Sequence, residues 1–232
     1  ILSTFLPAVL PAILSAFLPT SVQVGLNLNS LVEPGHFGSN QDCIVVIKNF
    51  VEPEHLKTIQ KFLPTINEWV DPGESLYSED GTCLYSADYW RNRQCSGDII
   101  QKLNNNIYEI IEYYINKMQQ VLETQFSVKL SNRPPVLAKW TSGTEQQPHA
   151  DKQLNDGSPN PFPDYDLNSL IYYNDDFEGG ELYYPEHDIV IKPEPGLAVA
   201  HPGDIHFLHG VKRIISGERW TTPSFYTVKE FI

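Results

Sequence analysis

The spacing of apolar residues changes along this chain, and each change marks a different kind of element. From residue 43, CIVVIKNF is a β-branched run that predicts a strand over 43–50. Val51-Glu52-Pro53 then opens a helix, because proline suits an early helical position and Leu56, Ile59 and Phe62 are spaced for one buried face. Residues 64–97 are irregular and aromatic, with Trp69, Tyr77, Tyr85, Tyr89 and Trp90. From Gly97 to about Phe126 apolar residues recur at three and four, through Ile100, Leu103, Ile107, Ile111, Tyr114, Ile115 and Met118, which is the stripe of a helix packed on a sheet. After Pro134 the period shortens. PVLAKW, NSLIYYN, GELYYP, DIVIKP, GLAVAHP, DIHFLHGV and FYTVK follow one another, separated by Gly, Pro, Asn and Asp, with no helical stretch between them. Such a series predicts an antiparallel sandwich or barrel buttressed by the preceding helices, an α+β chain that is mainly β.

Residues 1–32 obey neither period. ILST, FLPA, VLPA, ILSA and FLPT repeat a unit of four, two large apolar residues followed by small ones or proline. The length is that of a membrane span, but Pro7, Pro11 and Pro19 would each cost a helix about 3 kcal/mol, so a transmembrane helix is disfavoured. The stretch also lacks the basic n-region of a secretory signal. It is expected to be a docking arm, lying on its own body, on a partner protein or on a second copy. Residues 21–40 read as linker, which divides the chain into an arm and linker over 1–40 and a folded domain over 41–232.

Charge sharpens this division. The chain has 16 Lys plus Arg against 29 Asp plus Glu, a net charge of −13, and the first of these residues is Glu33. An acidic balance without a Lys/Arg cluster argues against nucleic acid as partner, since that affinity comes largely from cations meeting phosphates. Cys43, Cys83 and Cys95 have neither zinc-site nor CxxC spacing and are expected as reduced thiols, hence a cytoplasmic location.

The candidate chemistry lies in the β region. His149-Ala150-Asp151 sets an imidazole and a carboxylate two residues apart, on one side of an extended chain. Alone the pair is also what a surface ion pair looks like. A second histidine, His209, precedes Gly-Val and stands ten residues before Arg219. Two histidines and a carboxylate with open positions form a ligand set suited to non-haem Fe(II) oxygenases. His206 is the rival of His209, read as lying on the opposite strand face. Gly179-Gly180 lacks any phosphate-loop context and reads as a turn, and the Pro/Asp/Asn-rich insertion over 152–166 as a lid beside the site.

HAD at 149–151, LIYYNDDFEGGELYYP at 170–185, KPEPG at 192–196 and HGVKRIISGERW at 209–220 together resemble the Fe(II)- and 2-oxoglutarate-dependent dioxygenase superfamily, nearest its prolyl 4-hydroxylase-like branch. IKNFVEPEHLKTI at 47–59 resembles the opening of the same domain. The resemblance implies a double-stranded β-helix, or jelly roll, with iron held by His149, Asp151 and His209. It implies that Arg219 pairs with the far carboxylate of 2-oxoglutarate, a role that Arg213 could take instead. It puts the Tyr172 hydroxyl on the same carboxylate, where the residue's other reading is core packing. A tyrosine common in the strand before HAD is here Trp140, which offers only an N–H donor, so a reshaped cosubstrate pocket is expected. The implied reaction hydroxylates an amino-acid side chain, free or in a peptide and prolyl first, using O2, turning 2-oxoglutarate into succinate and CO2, with ascorbate as an accessory reductant. A reading from another class is a binding or assembly protein that keeps the metal fold without turnover and acts through its arm.

Overall fold

A computed structural model describes residues 32–77, 83–85, 87–157 and 162–232. The apolar arm over 1–31, with the docking expected of it, lies outside the described residues, as does the side chain of Cys83. Strands β1 (Val45–Ile47), β4 (Gln94–Ser96), β5 (Val128–Asn132), β6 (Val136–Thr141), β8 (Leu167–Tyr172), β12 (Ala198–Pro202) and β15 (Glu218–Phe231) form a seven-stranded sheet in the order β1-β12-β8-β15-β6-β4, with β5 also paired to β15. Facing it is a four-stranded sheet of β11 (Ile189–Ile191), β10 (Leu182–Tyr184), β13 (His209–Val211) and β7 (Gln146–His149), in that order. Two short pairs complete the set, β9 (Glu178–Gly179) with β14 (Ile214–Ser216), and β2 (Leu76–Tyr77) with β3 (Cys83–Tyr85). Every pairing is antiparallel. This is the two-sheet jelly roll expected of the sequence.

The helices cover the outer face of the larger sheet. Helix α1 (Pro53–Phe62) opens on its proline and buries Ile59 and Phe62, as expected. A short helix α2 (Ala87–Trp90) follows the β2–β3 pair. The helix expected over 97–126 is two helices, α3 (Gly97–Leu103) and α4 (Asn105–Phe126). Asn104 divides them: its backbone is extended, its N–H closes α3 on Ile100, and its side chain accepts from the N–H of Ile107 to cap α4. An asparagine is well suited to that cap, and satisfying a helix-start N–H there is worth about 1 kcal/mol. The inner stripe of α4 joins Ile171, Tyr173, Ala198, Ala200, Trp220 and Tyr226 in one apolar core. Each large aliphatic side chain buried here contributes about 1.5–3 kcal/mol.

Strand alternation decides which residues meet the cavity. On β8, Ile171 turns to the helices while Tyr172 turns to the second sheet, where it packs with Leu182, Tyr184, Leu197 and Val199. On β15, Trp220 and Tyr226 belong to the helix side, whereas Arg219, Thr221, Pro223 and Phe225 line the cavity between the sheets.

Residues 32–40, read from sequence as the end of a linker, pack on this body. The carbonyl of Val32 accepts from the buried Lys152 ammonium (2.5 Å), the N–H of Gly35 donates to Asp204 (2.9 Å), and Phe37 meets Phe126 edge-on. Cys43 and Cys95 are free, buried thiols. Among the described residues no helix is long and apolar enough to cross a membrane.

Candidate metal centre

The pairing of β7 with β13 sets His149 opposite His209. Asp151 follows β7 in a bend whose path is held by two hydrogen bonds, the N–H groups of Asp151 and Lys152 both donating to the carbonyl of Gly203 (3.0 Å each). A Cβ at Gly203 would lie 2.0 Å from the carbonyl oxygen of Tyr165, so the chain can come this close only at glycine. The result is a cluster: Nε2 of His149 lies 3.6 Å from one carboxylate oxygen of Asp151, Nε2 of His209 lies 3.5 Å from the other, and one ligand atom from each falls within 4.8 Å of the rest.

Both imidazoles are oriented alike. Nδ1 of His149 lies 3.0 Å from the carbonyl of Gln147, and Nδ1 of His209 lies 3.1 Å from that of Phe207. A carbonyl can only accept, so each Nδ1 carries the proton and each Nε2 presents its lone pair to the cluster. Burial lowers the pKa of His209, leaving it neutral at physiological pH. For His149 burial pulls the same way, but Asp151 and the Gln147 carbonyl outweigh it and raise the value, so a cation and a proton compete for that nitrogen. Burial would raise Asp151, yet the facing histidines, His209 first, hold its carboxyl down and ionised. Asn168 steadies the carboxylate through its Nδ2 (2.5 Å). Once His149 gives up its proton, two imidazoles and a carboxylate on one side of a gap suit a divalent first-row cation with positions left open.

The cluster opens on a cavity of about 570 Å3 that Arg219 also lines. Arg219 is 0% exposed, and its guanidinium is under-used: Nη2 donates to the Tyr172 hydroxyl (3.2 Å), while Nε and Nη1 are buried without a partner. A buried charge in that state costs several kcal/mol, which a bound carboxylate offsets by accepting two parallel bonds. Thr221, beside it on β15, has a buried hydroxyl likewise unpartnered. These orphaned donors fit one carboxylate of a 2-oxo dicarboxylic acid, and they line the same cavity as the metal cluster. Tyr172 is packed in the core, as one of its readings has it, and its hydroxyl accepts from Arg219. Trp140 lines the cavity with its ring between two guanidiniums, 5.4 Å from that of Arg219 and 4.4 Å from that of Arg93.

Other expectations separate cleanly. Arg213 is exposed, away from the buried position that Arg219 holds. His206 is not on a strand face: Ile205–Phe207 is a 3-10 turn capped by Asp204, and the His206 ring packs against Gly35. The insertion over 152–166 contributes Gln153, Leu154, Asn155, Phe162 and Tyr165 to the cavity wall, and the aromatic segment contributes Trp90 and Gln94. Three residues escaped the reading of the sequence. Asn168 shares its strand parity with Tyr172, and Tyr184 with Leu182, so alternation alone could have found both. His201, which no motif singles out, lines the cavity with its ring 4.4 Å from that of His209.

No protein-family model matches the chain. Among solved structures, a viral collagen prolyl hydroxylase from Paramecium bursaria Chlorella virus-1, in its 2-oxoglutarate complex, superposes with a TM-score of 0.55 at 16% identity, covering 81% of this chain and 97% of that one. A Trichoplax adhaerens prolyl hydroxylase in complex with a hypoxia inducible factor peptide gives 0.56 at 17% identity, over 81% and 84%. This chain has the prolyl hydroxylase fold. A Pseudomonas putida prolyl-4-hydroxylase shares that fold at 0.52 and 12% identity, over 81% and 93%. In sequence, rat prolyl 3-hydroxylase 2 is 35% identical over 92 residues, 34% of this chain and 13% of that protein. Chicken prolyl 3-hydroxylase 1 is 32% identical over 68 residues, 27% and 9%. The chain thus spans a small part of the curated relatives it matches.

Proposed function

We propose that this chain is an Fe(II)- and 2-oxoglutarate-dependent oxygenase that hydroxylates an amino-acid side chain within a peptide, proline being the leading candidate. His149, Asp151 and His209 hold the iron, Arg219 the far carboxylate of the cosubstrate, and Tyr172 and Trp140 shape the place around it. The observation that carries the reading is the pairing of an open three-ligand cluster with a fully buried arginine whose Nε and Nη1 lack partners, both lining one cavity. The relatives in sequence and fold, several of them prolyl hydroxylases, support the substrate class. The proposal assigns the chemistry to residues 41–232, with 1–40 as arm and linker and residues 1–32 available to a protein partner. A metal-fold protein without turnover is disfavoured, since such a chain has no use for a buried arginine with two of its three nitrogens unpartnered.

When bound, the iron and cosubstrate supply the oxidising power, O2 being consumed as 2-oxoglutarate becomes succinate and CO2 and the substrate C–H becomes C–OH. The protein binds and orients. The Nδ1 bonds of His149 and His209 fix the rings, and Asn168 fixes the carboxylate. The apolar, aromatic wall around Trp140, Leu170, Leu182 and Phe225 excludes water from the reacting centre. The segment over 152–166 forms part of the wall past which a substrate enters, as a lid would.

The test is succinate release from 2-oxoglutarate under O2 by protein loaded anaerobically with Fe(II), alone and with peptide libraries scored for a mass gain of one oxygen. Release that is lost in His149→Ala supports the reading. No succinate with any peptide mixture, from protein that retains iron, sinks it.

A further inference from the structure

Tyr184 is a side chain for which the fold alone gives no reason. It lies on β10, points inward with Leu182, and is 0% exposed. Its hydroxyl is buried without a hydrogen-bond partner. The register that pairs Tyr183 with Gly210 puts Tyr184 beside His209, and its ring lies 5.9 Å from that of His209 and 5.4 Å from that of His201. It packs in one cluster with Tyr172, the residue that accepts from Arg219. Phenylalanine would fill this volume without stranding a polar group, and a stranded hydroxyl is costly to keep. Buried tyrosines ordinarily find a partner for their O–H.

Nε and Nη1 of Arg219, the Thr221 hydroxyl and the Tyr184 hydroxyl are all buried without partners, and Tyr184 is tied to Arg219 through Tyr172, which packs in its cluster and bonds the guanidinium. We infer that Tyr184 is a further cosubstrate-binding residue, its hydroxyl donating to the far carboxylate of the 2-oxo dicarboxylic acid alongside Arg219 and Tyr172. This rests on the oxygenase reading above. Tyr172 uses its own oxygen as acceptor for Arg219, and Tyr184, packed in the same cluster as Tyr172, would add a neutral donor. The carboxylate is then held from both sheets, by Arg219 on the seven-stranded sheet and Tyr184 on the four-stranded one. The expected specificity is for a dicarboxylate over a 2-oxo acid ending in a methyl group.

The experiment is Tyr184→Phe, which removes one oxygen and leaves the packing. Dissociation constants are measured calorimetrically and anaerobically on full-length protein loaded with Co(II), for 2-oxoglutarate and for 2-oxopentanoate, which lacks the far carboxylate. The variant should bind 2-oxoglutarate about tenfold more weakly, the size of one hydrogen bond to a charged group. It should bind 2-oxopentanoate as wild type does, and melt no lower than wild type without ligand. Unchanged 2-oxoglutarate affinity overturns the inference, and so does an equal loss for both acids, which would place the hydroxyl at the chelating end. Failure of the wild type to bind 2-oxoglutarate at all would instead strike the oxygenase reading, so the two failures are separable.

Discussion

Replacing Arg219 by methionine should move stability and ligand affinity in opposite directions. The guanidinium is wholly buried, and of its three nitrogens only Nη2 has a partner, the Tyr172 hydroxyl at 3.2 Å. Exchanging a buried, poorly paired charge for an apolar side chain of similar length commonly stabilises a protein by about 1–4 kcal/mol. Loss of the Tyr172 bond returns about 1 kcal/mol of that. The unliganded variant should therefore unfold at equal or higher urea concentration than wild type. Cosubstrate binding should suffer by about 2–5 kcal/mol, the usual cost of removing one partner from a buried ion pair, or on the order of 30- to 5,000-fold in dissociation constant. The assay is urea unfolding with Mn(II), with and without 2-oxoglutarate. At 100 times the wild-type dissociation constant the ligand should add about 2.7 kcal/mol to wild type and no more than about 0.9 kcal/mol to the variant. A variant several kcal/mol less stable without ligand, or one stabilised by 2-oxoglutarate as much as wild type is, would refute the assignment of Arg219 as a partner held in reserve.

Three further outcomes follow from other contacts. Asn168→Ala frees the Asp151 carboxylate and should weaken Co(II) binding about 10- to 100-fold, read by titration of the visible d–d bands, while leaving the melting temperature of the apoprotein nearly unchanged. Lys152 and Asp166 form a buried ion pair (2.8 Å) that also secures Val32, so Lys152→Met should cost about 3–5 kcal/mol in urea unfolding. The Glu123 carboxyl is held below its ordinary 4.5 chiefly by the N–H of Leu130, so it adds stability above that value that is lost as pH falls through the lower folded one; Glu123→Gln should flatten the decline in stability between about pH 5 and 3.

Much of the architecture is visible in the residue pattern because burial enforces it. All seven apolar runs after Pro134 contain a strand, and the long amphipathic stripe is helical. What the pattern hides has local causes. The strand Val128–Asn132 alternates Val, Lys, Leu, Ser and buries only Val128 and Leu130, too little apolar signal to stand out directly after a helix. The break at Asn104 interrupts one continuous stripe, since the cap is a polar position and the apolar spacing resumes within a turn. DIHFLHGV reads as a single strand, but Asp204 caps a 3-10 turn there, which removes His206 from the strand and delivers His209 to it. In the site, His149, Asp151, His209 and Arg219 are legible by residue type and spacing. For Asn168 and Tyr184 strand alternation gives the face but not what they meet there, and His201 is not legible, because it acquires its neighbours only when the two sheets face each other.

The central strand of the larger sheet is β15, which comes last along the sequence, between β8 and β6, and carries Arg219 near its start. It pairs Arg219 with Trp140 on one side and Thr221 with Tyr172 on the other. The buried arginine thus acquires both aromatic neighbours through strand pairings that are distant in sequence, the class of contact that forms slowly. Its surroundings depend on closure of the whole sheet and not on any local segment.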